Sequence, residues 1–106
     1  MIDEERVERA VVFYRDNADR LGQLVGRAKA LEHERKTVRG MVFLKSQGTV
    51  AEREAIAESS DEYKAVTEDI ENVWAEKTTL ETQLKSAELL IDVWRSQYSK
   101  QGKGHV

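Results

Sequence analysis

Gln47-Gly48-Thr49-Val50-Ala51-Glu52 decides how this 106-residue chain folds. Glycine readily accepts the left-handed backbone conformation just past a helix end, so Gly48 reads as a stop. Thr49 and Glu52 stand at capping-box spacing, with a hydroxyl to cover a free amide and a carboxylate to reach back. One helix therefore ends and another begins within a few residues. A second start signal, Ser59-Ser60-Asp61-Glu62, follows ten residues later. Between the two signals the spacing predicts a short helix over 50–58, placed at a tip.

Both flanks of this tip carry long heptad patterns. Before it, over about 3–46, one row of sevens is Val7, Tyr14, Leu21, Ala28, Arg35 and Val42. Its companion is Ala10, Asn17, Leu24, Leu31, Val38 and Lys45, and Val11, Ala18 and Val25 widen the stripe. After the tip, over about 61–101, the rows are Tyr63, Ile70, Lys77, Leu84, Ile91, Tyr98 and Val66, Val73, Leu80, Ala87, Trp94, Gln101. Apolar residues repeating at three and four mark amphipathic helices, and persistence over several heptads marks coiled-coil-like packing. The first helix would reach about 65 Å at ~1.5 Å per residue. Residues 102–106 read as a polar tail.

A short connection makes neighbouring helices antiparallel, so the expected fold is all-α, a single domain built as a long helical hairpin with a short helix at its tip. With Ser46 near Glu62, facing positions would add to about 108, setting Trp94 and Tyr98 against Tyr14 and Ala10 near Phe13. At the tip, Val38, Met41, Val42, Phe43 and Leu44 are apolar on nearly every side, and Val50, Ala55 and Ile56 of the short helix are expected to cover part of them. One hairpin is a single thin layer that encloses little core. Self-association into a dimer or a larger bundle is the expectation, with Val11, Ala18, Leu21, Val25, Ile70, Val73 and Trp74 as its seam. Arg35, Lys77 and Asn17 interrupt the apolar rows, where polar groups can set register. Arg35 is expected to meet a carboxylate of the acidic helix or of a second copy. Gly22, Gly26 and Gly40 lie inside the first helix and would mark close approach or a bend.

The composition closes off several classes. The chain has no Cys and no Pro, and 35% of it is charged. Without Cys there is no disulfide scaffold, zinc ribbon, iron–sulfur ligation or thiol catalysis. The longest apolar runs, 10–14 and 41–44, fall far short of the ~20 residues of a membrane span. The opening Met1-Ile2-Asp3-Glu4-Glu5-Arg6 lacks the basic-then-apolar layout of a signal peptide, so a cytoplasmic protein is expected. The net charge of −3 conceals an asymmetry: +2 over residues 1–46, −8 over 47–94 and +3 over 95–106.

That asymmetry has three readings. Arg27, Lys29, Arg35, Lys36, Arg39 and Lys45 could follow a phosphate backbone. They could instead match the acidic helix beside them, the reading favoured in a chain that is acidic overall. Finally, the acidic helix, through Glu68, Asp69, Glu71 and Glu76, could mimic phosphates and block a host nuclease or defence protein.

Catalytic and metal chemistry find no foothold. His33 lies between Glu32 and Glu34, but adjacent helix residues point apart and ligand pairs need a spacing of three or four. His105 sits in the tail without helpers. Gly22-x-x-x-Gly26 lacks the lysine and the preceding strand of a phosphate loop. Trp74 and Trp94 could stack on bases, although their heptad-adjacent places suit a core. Ser59 and Ser60 read as caps, with no base placed to activate them. No enzyme activity, cofactor, metal or small-molecule substrate is expected.

Two stretches resemble a known group. Residues 45–64 hold Gly48-Thr49-Val50-Ala51-Glu52-Arg53-Glu54-Ala55 and the helix start Ser60-x-x-Tyr63, and residues 87–96 hold Trp94-Arg95. Together they resemble small helical proteins of tailed bacteriophages and prophages, often encoded beside single-strand annealing or single-strand-binding genes. The resemblance covers about a third of the chain and carries no catalytic residue. It implies an accessory role in phage DNA recombination or replication, in the host cytoplasm, with a protein of DNA metabolism as partner. The sequence reading is thus a non-enzymatic helical interaction or scaffold protein, with direct nucleic-acid binding and host-protein inhibition as its alternatives.

Overall fold

The computed structural model describes residues 2–104, with side chains through Lys100. It is all-α: α1 spans Glu4–Lys45, α2 spans Val50–Glu58 and α3 spans Asp61–Gly104. The expected helices over 3–46 and 50–58 match α1 and α2. α3 runs three residues past the expected 101, into the tail; residues 105 and 106, and with them His105, lie outside the described residues.

Local chemistry places each boundary. Asp3 opens α1, its Oδ1 accepting from the Arg6 amide at 2.8 Å. Gly48 takes φ +120, the left-handed region expected of it. At that φ a side chain of any L residue is strained whatever the space around it, so the turn favours glycine. Thr49 caps α2 by accepting from the Glu52 amide at 3.2 Å. The second start signal is displaced by one residue from its expected place. Ser60, not Ser59, caps α3, accepting from the Tyr63 amide at 3.2 Å. Ser59 instead closes α2, its hydroxyl donating to the Ala55 carbonyl at 2.7 Å.

The chain divides into two compact units, one of residues up to Gly22 with those from Thr78 onward, the other of Gln23–Lys77. In each, a stretch of α1 runs antiparallel to a stretch of α3. The second unit also contains α2 and so the whole hairpin turn. Its core is Leu31, Val66 and Ile70, with Val38 and Val73 packed against them; Leu24, Ala28 and Ala57 are buried as well. The first unit buries Val7, Ala10, Leu80, Leu84 and Ala87. All ten of these buried heptad residues lie on the four rows read from sequence, two in each long helix; Ala57, on α2, is buried as well.

The helix register departs from expectation. Arg35 faces Tyr63 in the second unit, and the Ile2 amide reaches Gln97 in the first, so facing numbers add to 98 and 99 rather than about 108. α2 is the cause. It lies along the last turns of α1, where Arg39 meets Glu58 and Arg53 meets Phe43. The first turn of α3 therefore sets Tyr63 opposite Arg35, well short of Ser46. The aromatic cluster foreseen around Phe13 and Tyr14 is replaced by Trp94 stacked on Tyr98 of the same helix, centroids 5.4 Å apart.

Two further expectations are corrected. α2 contributes Ala57, fully buried, to the core, while Val50 and Ile56 are exposed. A small side chain lets α2 approach closely; the larger two point away. A Cβ on Gly22, Gly26 or Gly40 would meet nothing within 4 Å, so these glycines mark no close helix approach.

Substitutions should separate these roles by sign. Leu31→Ala should lower unfolding free energy by about 2–5 kcal/mol, as expected for a buried leucine. Gly40→Ala should raise it by about 0.5–1 kcal/mol, whereas Gly48→Ala should lower it by about 1–3 kcal/mol. Urea denaturation followed by circular dichroism reads all three. A stabilising Gly48→Ala would contradict the turn geometry.

Candidate functional site

Three surfaces hold the candidate residues. At the tip, near the end of α1, the Phe43 carbonyl accepts from the Ser46 amide at 3.2 Å and also from Arg53 Nε at 3.1 Å and Nη2 at 2.9 Å. The same guanidinium lies 4.1 Å above the Phe43 ring. A fork-shaped cation can make both contacts at once, because two N–H donors converge on one carbonyl oxygen while the flat face covers an aromatic ring. Met41, Leu44, Val50 and Ile56 stay exposed near it in sequence, Leu44 at 76%.

The basic residues of α1 are not gathered into one patch. Arg39 pairs with Glu58 at 3.1 Å and Glu54 at 3.9 Å, both on α2 and not on the acidic α3. Arg35, expected on a carboxylate of the acidic helix or of a second copy, enters no ion pair among the described residues; its guanidinium stands 6.0 Å from the centroid of the Tyr63 ring. A half-buried cation over an aromatic face keeps attraction without burying a second charge. Arg27, Lys29, Lys36 and Lys45 are exposed. Lys29 and Lys36 are seven apart and share a helix face, but Arg27 is two residues from Lys29 and points elsewhere. The other row-breaking residues are resolved locally: Asn17 Nδ2 donates to the Phe13 carbonyl at 2.9 Å, and Lys77 Nζ lies 4.4 Å over Trp74.

The seam residues divide. Ile70 is buried in the core of the second unit and Val73 packs on it, so their apolar surface is used within the chain. Leu21 and Val25 are half-buried, and Ala18 is exposed. Val11 and Trp74 are 45% and 43% exposed, so Trp74 is not the core residue its position suggested.

In the first unit, Val11, Tyr14 and Arg15 of α1 face Glu88, Ile91, Asp92 and Arg95 of α3 across a cleft of about 390 Å³. Its floor is apolar and its rims carry two cations and two carboxylates. Sequence reasoning reached Val11 and missed the four charged residues. Their signal was available: Glu88, Asp92 and Arg95 stand three and four from Ile91 or from each other, on the flank of its row. A second, acidic groove in the other unit runs past Glu58, Tyr63, Lys64, Thr67, Glu68 and Glu71, where the Thr67 hydroxyl is buried without a partner.

Among the described residues no three His, Asp or Glu side chains are grouped to hold a metal. No helix among them is long and apolar enough to cross a membrane. No family model, curated protein or solved structure matches the chain.

Arg53→Ala should cost about 1–2 kcal/mol, the low side for a charged hydrogen-bonding group because the site is half-buried. Arg53→Lys should recover only part of this, since a point charge cannot make the fork. Equal stability of the Lys variant and the parent in chemical denaturation would remove the fork from the account.

Proposed function

We propose that this chain is a non-enzymatic helical interaction protein that acts as a homo-oligomer. The observation that carries the reading is the apolar surface left open beside the core of the first unit. Val11 and Tyr14 are 45% and 42% exposed, Tyr14 on the row that buries Val7 and Val11 on its flank. Apolar surface of this kind on a small helical protein is ordinarily covered by another helix.

The setting we propose is accessory work in phage DNA recombination or replication, in the bacterial cytoplasm, beside a protein of DNA metabolism. It is supported by the tip motif over 45–64 and the Trp94-Arg95 stretch. Direct nucleic-acid binding is the second reading, supported by the exposure of Arg27, Lys29, Lys36 and Lys45. The scatter of these residues around α1 and the net charge of −3 weigh against it.

Two measurements test the proposal. Light scattering at rising concentration should give a molar mass at least twice 12.1 kDa; a constant monomer mass would defeat the oligomer. Titration of single- and double-stranded DNA at low salt should show no binding. Binding that weakens steeply with added salt would instead establish the second reading.

A further inference from the structure

We infer that the cleft of the first unit is the dimer contact, and that its occupant is the same cleft of a second copy. The inference rests on the self-association proposed above and adds the surface and the charge code that orients it. The cleft carries Arg15 on its α1 wall and Glu88 and Asp92 on its α3 wall, with Arg95 beside them. Two cations and two carboxylates cancel. An acidic or a basic partner would therefore meet repulsion from half of the rim, but an identical cleft need not.

A two-fold axis lying along the helices exchanges the walls, setting α1 of one copy over α3 of the other. Arg15 of each copy then lies over Glu88 and Asp92 of the other. Each contact is made twice. The apolar floor, with Val11 and Tyr14, closes against itself, and neighbouring helices across the contact run antiparallel, as in a four-helix bundle.

The charged groups are free to make this exchange. Among the described residues Glu88, Asp92 and Arg95 enter no ion pair, and Arg15 bonds only its neighbour Asp16 at 3.2 Å, with side chains 70% and 56% exposed. Such exposed pairs contribute little and exchange easily.

Charge reversal tests the code. Arg15→Glu places like charges across both copies of the contact, and so does the double variant Glu88→Arg with Asp92→Arg. Each alone should weaken dimerisation at least tenfold by light scattering while keeping the helical circular dichroism of the parent. An equimolar mixture of the two variants should restore it, because both contacts in the mixed dimer regain opposite signs. If the parent associates and the reversed variants associate equally well, the dimer uses another face and this inference fails while self-association stands. Failure of the mixture to recover overturns the charge code. A parent that stays monomeric overturns both this contact and the oligomer itself.

Discussion

Arg53 on the Phe43 carbonyl is the contact that sets the hairpin's geometry. Near the end of α1 the Phe43 carbonyl, which already accepts from the Ser46 amide at 3.2 Å, receives two further N–H donors from a single guanidinium at 3.1 and 2.9 Å. The same group lies over the Phe43 ring. This holds α2 along the last turns of α1. With α2 in that place, the first turn of α3 sets Tyr63 opposite Arg35, and the pairing of the following heptads is settled. A ten-residue change in register follows from one short helix folding back rather than pointing outward.

Register decides in turn which apolar residues are spent inside the chain. Leu31 closes on Val66 and Ile70, with Val38 and Val73 beside them. Ile70 and Val73, which a heptad stripe alone would offer to a second copy, are used up there. Val11, just off the buried rows, and Tyr14, at an exposed place on one of them, are left beside Ile91 in a charged cleft. A two-helix layer cannot cover both flanks of a wide stripe, because each helix touches only one neighbour. The uncovered flank is where the proposed function lies.

The electrostatics are also more local than the charge totals imply. A basic α1 and an acidic α3 invite the picture of two matched helices. Instead Arg39 pairs with α2, Arg35 rests on Tyr63, and Lys77 on Trp74. Long side chains take the nearest aromatic face or carboxylate, and the ring offers attraction without a second desolvated charge. Charge along such helices is therefore better read as short contacts plus a rim, and the rim of the first unit's cleft is balanced in sign.

By itself the sequence determined the elements and their faces. Gly48 and Thr49 mark the break because a left-handed turn and a hydroxyl cap are local chemistry, complete within a few residues. The heptad rows name the buried positions from Val7 to Ala87, because helical periodicity turns spacing into a face. Tertiary structure alone decided the register, the burial of Ala57 in place of Val50 and Ile56, the partner of Arg35 and the cleft flanked by Arg15 and Asp92. Each depends on where α2 lies against α1, and that is fixed by contacts between residues ten or more apart. Heptad rows slide past one another with little loss of apolar matching, so periodicity cannot choose among registers; a guanidinium seated on one carbonyl can.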